Sequence, residues 1–302
     1  MNNNINCIIL CAGSGSRMND DSKNKVCFEI MGKPAVVRVI ENLKECGIEK
    51  FIVVVGNKCE SVMNAVSGIE GVTFAYQKEQ SGTGNAAMCG LKVINEFNIE
   101  GPVLTVMGDK LIDKSVFEML IKDFYSNKSD ISLITQPADF NKSGGKIVLS
   151  CGKVCGIVEH LDLLLLKVRE EMQKGRTKEE IFSELELNEK QISKINQKLK
   201  NCNINDCFIE INGHRFSSEE ILASGMVNCA TYLHSRKAIN DSIYGLTSDN
   251  AQNEIYFTDT VKNISKTGKV TYVKVEDKSL IQTFNTMEEL KNINDFFKGE
   301  LN

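Results

Sequence analysis

The first 135 residues alternate short β-branched apolar runs with segments of helical periodicity, and this alternation constrains the fold more than any other feature of the chain. Residues 5–10 form the first run and 51–55 the second, with a helical pattern from Pro34 to Cys46 between them. The same pattern predicts strands at 72–76, 103–107 and 131–135 and helices near 58–66, 83–96 and 115–125. Because such alternation is typical of parallel strands joined by crossover helices, we predict an α/β fold with a mostly parallel sheet flanked by helices.

The pattern changes in the second half of the chain. Residues 145–159 predict two strands joined by a turn at Cys151-Gly152-Lys153. Residues 161–200 are rich in Leu, Glu and Lys and have helical periodicity, whereas the rest of the chain returns to mixed elements. There we expect strands at 207–211, 225–233 and 269–275, a helix starting at Ser217, and helices over 254–265 and 286–299.

Composition excludes several classes of protein. With 42% apolar and 25% charged residues, the chain is not disordered or of low complexity. The net charge of −4 gives no general basic surface for nucleic acid or anionic lipid. No window approaches the roughly 20 apolar residues of a membrane helix, and the start lacks the features of a signal peptide, so we expect a cytoplasmic location without a membrane partner.

The 11 cysteines are scattered without a CxxC spacing, and we interpret them as reduced core residues rather than zinc ligands.

The segment after the first apolar run has the composition of a phosphate-binding loop. Gly13 and Gly15 allow the backbone to approach a ligand, and consecutive amides together with Arg17 can hold an anion. Lys25 follows closely enough to reach the same phosphates. The sequence is neither a Walker loop nor a complete dinucleotide fingerprint, because Met18 stands where the third glycine would be. A polar surface turn is the alternative interpretation.

Two further segments follow predicted strands, and ligands usually bind at the carboxyl ends of parallel strands. In the first, the Gln77 carboxamide and the backbone around Gly82 and Thr83 could contact a nucleotide base, although the two glycines of this segment could also just mark a helix start. In the second, Asp109 suits Mg²⁺ held by few protein oxygens together with phosphates, although it could instead cap a helix.

Taken together, these segments resemble the sugar-1-phosphate nucleotidylyltransferase family, and most closely its N-acetylglucosamine-1-phosphate uridylyltransferase domains. The resemblance continues through the segments Gly145 to Val148, Gly152 to Val154, Gly156 to His160, Val227 to Tyr232, Asp249 to Asp259 and Phe284-Asn285. One departure is Asn24, which precedes Lys25 where the family usually has proline.

The resemblance implies a Rossmann-like mixed sheet of the nucleotide-diphospho-sugar transferase type, and it assigns a role to each matching residue. Gly13, Ser14, Gly15, Arg17 and Lys25 would hold the triphosphate, with Arg17 and Lys25 catalytic. Ala12, Gln77, Gly82 and Thr83 would contact the nucleoside. Asp109 and Asn285 would bind Mg²⁺. Gly145, Glu159 and Asn228 would hold the sugar.

The resemblance covers residues 1–160 and 221–302, which we expect to form one catalytic domain with a helical insert at 161–220. Capping-box patterns at Thr177 to Glu180 and at Asn188 to Gln191 predict two short helices in the insert. The insert has ten Lys and Arg against twelve Asp and Glu, which does not favour a nucleic-acid module. A structural or homo-oligomerising element, a lid and an acceptor-binding surface remain alternatives.

The implied reaction is Mg²⁺-dependent transfer of a nucleotidyl group, UMP from UTP, to a hexose or N-acetylhexosamine 1-phosphate, with release of pyrophosphate. The partners are then a nucleoside triphosphate and a sugar 1-phosphate. One alternative is cytidylyl transfer to another phosphorylated alcohol, such as a polyol or choline phosphate. The other is a non-catalytic nucleotide-sugar sensor.

Overall fold

A computed structural model describes residues 4–18, 20–200 and 206–300. The strands are β1 (Asn6–Leu10), β2 (Glu29–Ile30), β3 (Lys33–Pro34), β4 (Lys50–Val55), β5 (Val72–Tyr76), β6 (Val103–Met107), β7 (Lys110–Ile112), β8 (Ile131–Pro137), β9 (Lys146–Ser150), β10 (Lys153–Val158), β11 (Ile209–Ile211), β12 (His214–Phe216), β13 (Met226–His234), β14 (Val270–Lys274) and β15 (Ile281–Thr283). The helices are α1 (Ala35–Glu45), α2 (Cys59–Val66), α3 (Thr83–Glu96), α4 (Lys114–Asn127), α5 (His160–Gln173), α6 (Lys178–Glu184), α7 (Glu189–Leu199), α8 (Ser218–Leu222), α9 (Arg236–Ile243), α10 (Asp259–Ser265) and α11 (Met287–Glu300). Single 3₁₀ turns occupy Ser16–Met18, Lys25–Cys27 and Lys278–Leu280.

A mixed sheet forms the centre of the described molecule. One half is parallel, with β5, β4, β1 and β6 side by side, and β13 then pairs antiparallel with β6. The antiparallel hairpin β9–β10 and the parallel pair β8 and β14 complete the sheet through β13. This is the Rossmann-like mixed sheet expected from the sequence, and helices cover it.

The two faces of β1 explain why its sequence is apolar throughout. Cys7 and Ile9 belong to a core cluster with α1 and α4, whereas Ile8 and Leu10 belong to a second cluster with α3. Successive side chains of a strand point to opposite faces, so a strand with helices on both sides needs an unbroken apolar run. Both clusters include residues of β1, so packing on its two faces fixes the strand from which the next loop starts.

The structure confirms the predicted order of strands and helices, with changes at some boundaries. Cys151 and Gly152 have positive φ angles of 49° and 74°, as expected for the tight turn of the β9–β10 hairpin. The predicted helix over 254–265 is wrong in its first turn, because α10 begins only at Asp259. The preceding backbone is instead paired with the start of α3: the N–H of Gly84 donates to the carbonyl of Ile255.

The segment predicted as an insert packs on the rest of the fold. α5 carries apolar side chains on two sides, and one side forms a cluster with Ile181 of α6 and with Ile195 and Leu199 of α7. The other side packs with α8 and the β11–β12 hairpin against the β9–β10 hairpin. Both predicted capping boxes are present at the starts of α6 and α7.

None of the cysteines that the structure describes forms a disulfide. Five of them are buried, but Cys151 is exposed at the hairpin turn, so its interpretation as a core residue is wrong. Cys202 lies outside the described residues. Among the residues described, no helix combines the length and the apolar character that crossing a bilayer requires.

Candidate active site

A cleft of about 730 Å³ opens at the carboxyl ends of β1 and β6. The predicted residues that line it are Gly13, Ser14, Gly15, Arg17, Lys25, Thr83, Asp109, Glu159 and Asn285. These nine residues come from distant parts of the chain, and the sheet brings them to one opening. The cleft is therefore the candidate active site.

The loop after β1 forms one wall of the cleft. Gly15 has a φ of 61°, and a Cβ atom there would lie 2.9 Å from Cβ of Lys25. Glycine is therefore required both by the left-handed backbone and by the close approach of Lys25. Gly13 and Ser14 are exposed, and so is Arg17, which forms no ion pair with any described residue. Loop amides and a free guanidinium at an opening suit a polyphosphate.

Asn24 holds this loop in place. Its side chain is buried, and its Nδ2 lies 3.1 Å from the carbonyl oxygen of Cys11, 3.2 Å from that of Gly13 and 2.8 Å from that of Asn57. Its Oδ1 accepts from the N–H of Val26 and caps the 3₁₀ turn that carries Lys25. Asn24, which departs from the family pattern, thus connects the loop after β1 with the turn that carries Lys25.

Lys25, Asp109 and Asn285 meet at one point of the cleft. The Lys25 ammonium forms an ion pair with Oδ2 of Asp109 and donates to Oδ1 of Asn285 at 3.0 Å. Asp109 follows β6 and Asn285 follows β15, and the pairing of β15 with β7 brings these two distant segments of the chain together. The side chains of Asp109 and Lys25 are largely buried, with 15% and 12% of their surface exposed, respectively.

The same two oxygens fit a divalent cation. One carboxylate and one amide oxygen converge on a single cationic atom, and Mg²⁺ characteristically takes one or two protein oxygens and completes its shell with phosphates and water. Asp109 and Asn285 would hold the metal, and Lys25 would then be free to contact the phosphates. A bound Mg²⁺ supplies neutralising charge to the phosphates.

Glu159 also lines the cleft and directly precedes α5. Oε1 of its carboxylate accepts a hydrogen bond of 2.9 Å from the hydroxyl of Thr258. Desolvation raises the pKa of Glu159 to about 7, and the nearby acidic groups Asp162, Asp259 and Glu254 add to this effect. A carboxyl group with this pKa is partly ionised near neutral pH. It can accept a hydrogen bond from a sugar hydroxyl when it is ionised and donate one when it is protonated.

The predicted nucleoside-binding segment is held by backbone pairing to residues 254–257. A Cβ atom at Gly82, which has a φ of 115°, would lie 2.5 Å from the carbonyl oxygen of Ile255. The N–H of Ile255 donates to the carbonyl of Ser81 at 2.7 Å, and that of Phe257 donates to Oγ1 of Thr83 at 3.2 Å. The start of α3 is therefore fixed by a segment that itself lines the cleft.

Residues 7–178 match the family model described as the MobA-like NTP transferase domain. This match covers more than half of the chain and includes the loop, Lys25, Asp109 and Glu159. The chain belongs to this family of nucleotidyltransferases. Asn228 and Asn285 lie beyond the residues matched by this family model. The structure places Asn285 in the cleft and Asn228 in a neighbouring cavity.

Relatives of the transferase extend the similarity over nearly the whole chain. The bifunctional protein GlmU of Acetivibrio thermocellus is 29% identical over 286 residues, which cover 94% of this chain and 49% of the relative. That of Caldanaerobacter subterraneus is 28% identical, covering 98% and 52%. The chain thus spans about half the length of these relatives. A UDP-glucose pyrophosphorylase solved with UDP-glucose shares the fold, with a TM-score of 0.66 at 15% identity over 98% of both chains.

Five residues predicted for the site of this transferase do not line the main cleft. They are Ala12, Gln77, Gly82, Gly145 and Asn228. Gln77 is buried and its Nε2 donates to Oδ1 of Asn85 at 2.9 Å. The Asn228 Nδ2 donates to the hydroxyl of Tyr232 at 2.6 Å, and Asn228 lines a neighbouring cavity of about 430 Å³. In this structure these residues support the walls of the cleft, and their contact with a substrate stays a prediction.

Several lining residues were not identified from the sequence. They are Thr105, Lys110, Asn141, Ser143, His160, Asn188, Lys190, Gln191, Lys194, Ala230, Tyr232, Gln252, Glu254, Phe257, Thr258 and Thr283, with apolar residues of β1, β6 and α5. The spacing of Lys190 and Lys194, four residues apart on one helical face, was visible in the sequence. Which surface this face meets depends on tertiary packing, and no local pattern gives it.

Proposed function

We propose that the chain transfers a nucleotidyl group, UMP from UTP, to a sugar 1-phosphate and releases pyrophosphate. The observation that carries this proposal is the convergence of Lys25, Asp109 and Asn285 at one point of a cleft that also contains the glycine-rich loop and Glu159. A triphosphate would lie along the loop, and the sugar near Glu159. The similarity to GlmU and to a UDP-glucose pyrophosphorylase supports a nucleotide-sugar product.

In this reaction an oxygen of the acceptor phosphate attacks the α-phosphorus of the nucleoside triphosphate. A new P–O bond forms there while the bond to the β-phosphate oxygen breaks, and pyrophosphate leaves with the electron pair. No protein nucleophile is needed, so the residues act by positioning and by charge. Lys25 and Arg17 would offset the charge of the phosphates, and the loop amides would hold them in line.

Mg²⁺, held by Asp109 and Asn285, would supply further charge neutralisation on the phosphates. The acceptor would be oriented by Glu159 and by the hydroxyl of Thr258, which are hydrogen-bonded to each other. We propose that residues 1–160 and 221–302 form the catalytic unit. In this unit the nucleotide and acceptor ends of the cleft are built from separate segments.

Pyrophosphate release tests the proposal. The full chain would be incubated with each of UTP, CTP, dTTP and ATP against glucose 1-phosphate, N-acetylglucosamine 1-phosphate, a polyol phosphate and choline phosphate, with Mg²⁺. We expect release with UTP and a sugar phosphate. Release only with CTP and the polyol or choline phosphate would contradict the sugar assignment, and binding without any release would indicate a sensor.

Asp109→Ala provides the matched test of the site. Loss of one such group costs on the order of 3 kcal/mol of barrier, or roughly a hundredfold in rate. Asp295→Asn is the control, because Asp295 is an exposed surface residue paired with Lys298. Turnover of the Asp109 variant near that of the control would contradict the metal assignment.

A further inference from the structure

The start of α7 is part of the wall of the active-site cleft. Asn188, Lys190, Gln191 and Lys194 line the same opening as Gly13, Lys25 and Asp109. The insert therefore faces the space where the substrates would bind. Its side chains on this wall are therefore placed where they can contact a bound substrate.

Two contacts hold the insert in a fixed position relative to the cleft. Asp162, in the first turn of α5, accepts from the N–H of Ala251 at 2.8 Å through Oδ1 and from the hydroxyl of Tyr256 at 3.0 Å through Oδ2. The segment that contains these donors also contributes Gln252 and Glu254 to the cleft. α5 is thus anchored to the wall of the site itself.

The packing of α7 on α5 determines which side chains turn toward the cleft. Ile195 and Leu199, one turn apart, are buried in the cluster with α5. The capping box between Asn188 and Gln191 fixes the start of α7, with Oδ1 of Asn188 accepting from the N–H of Gln191 at 3.0 Å. Lys190 and Lys194 then project together from an ordered helix end, four residues apart.

Basic side chains outnumber acidic side chains in the lining of the cleft. Five Lys and Arg residues line it against three Asp and Glu residues, and Lys25 is already paired with Asp109. Lys190 and Lys194 form no ion pair with any acidic side chain in the described ranges. Two adjacent ammonium groups without an anionic partner repel each other and attract a phosphate or another polyvalent anion.

We propose that Lys190 and Lys194 bind a phosphoryl group of a substrate in the cleft, so that the insert forms part of the substrate site. This inference rests on the proposed function for the identity of the substrates, since both the nucleoside triphosphate and the acceptor carry phosphate. The chemistry recognised is the same in both cases. The structure thereby gives the insert a role in ligand binding.

The test measures binding rather than turnover, so its outcome does not depend on the proposed reaction. Isothermal titration calorimetry of the full chain would measure the Kd of UTP and, separately, of glucose 1-phosphate. The test variant is Lys190→Gln with Lys194→Gln. The control is Lys178→Gln with Lys200→Gln, which removes the same charge from the insert at residues that do not line the cleft. Lys190→Arg with Lys194→Arg retains the charge.

We expect the test variant to weaken the binding of one ligand at least about tenfold, as the loss of a hydrogen bond to a charged group does. The control should bind as the native chain does, and the arginine variant should restore most of the affinity. Weakened UTP binding would assign the lysines to the nucleotide, and weakened glucose 1-phosphate binding to the acceptor. Unchanged affinity for both ligands in a folded test variant would overturn the proposal.

Discussion

The hydroxyl of Thr258 donates a hydrogen bond to Oε1 of Glu159 across 2.9 Å, and the carboxyl group that accepts it has a pKa of about 7. Thr258 directly precedes α10, and Glu159 directly precedes α5. This contact joins the two helix starts in the part of the cleft where we propose that the acceptor binds. Acceptor binding beside this carboxyl group, as we propose it, should therefore depend on pH near 7.

Glu159→Gln should change how stability depends on pH. Folding raises the pKa of Glu159 from 4.5 to about 7, so the folded chain holds a proton that the unfolded chain releases. The free energy of unfolding therefore falls, through this group, as pH rises from about 4.5 through 7. The variant should gain stability relative to the native chain at pH 8 and lose the advantage near pH 4. Urea unfolding at both pH values measures this, with the exposed Glu118→Gln as a control that should show no such difference.

Asn24→Ala should weaken the nucleotide end of the site. The change removes a buried amide whose Nδ2 lies close to three carbonyl oxygens, at a cost of about 1–3 kcal/mol. We expect a lower free energy of unfolding and a higher KM for the nucleotide, because the loop and Lys25 lose their common support. The exposed Asn64→Ala is the matched control. An unchanged KM in a destabilised variant would mean that Asn24 supports the fold but not the loop.

Gly82→Ala should impair the nucleotide site much more than Gly68→Ala. Alanine at position 82 would have a positive φ and would place Cβ 2.5 Å from the carbonyl oxygen of Ile255, so the two paired segments must separate. At Gly68 a Cβ atom would meet no heavy atom within 4 Å. We expect at least a tenfold rise in the Kd of UTP for the first variant and none for the second. Equal Kd values would show that the start of α3 does not contribute to nucleotide binding.

Lys25→Met should tighten the binding of a divalent cation while it lowers turnover. The Lys25 ammonium occupies the point on which the oxygens of Asp109 and Asn285 converge, so it competes with a metal for that position. Electron paramagnetic resonance would measure the Kd of Mn²⁺, and pyrophosphate release the turnover. Lys23→Met, two residues away, should change neither quantity. Weaker Mn²⁺ binding in the Lys25 variant would contradict competition between the two cations.

Much of the fold could be predicted because local sequence determines it. The apolar run of β1 requires helices on both faces, and the turn at Cys151-Gly152 needs two positive φ angles, which few residue pairs adopt easily. The loop residues and Asp109 were found because they directly follow such strands. Their spacing along the chain is a property of the sequence itself.

The remaining part of the site depends on contacts between distant segments. Residues 254–258 look helical in the sequence, yet pairing with the start of α3 keeps Ile255 out of a helix. The lysines of α7 reach the cleft only because Ile195 and Leu199 pack on α5. A pairing or a packing direction of this kind has no short-range signal, because it is decided by which surfaces meet after the chain has folded.

The backbone pairing of Ser81 and Gly84 with Ile255 has a thermodynamic consequence. It couples the segment that would contact the nucleoside to the segment that leads into Thr258 and the acceptor end. Ordering one of these segments around a ligand lowers the entropic cost of ordering the other, and such a coupling is reciprocal. Binding of either substrate would then raise the affinity for the other by the same factor, through a few peptide hydrogen bonds between the two segments.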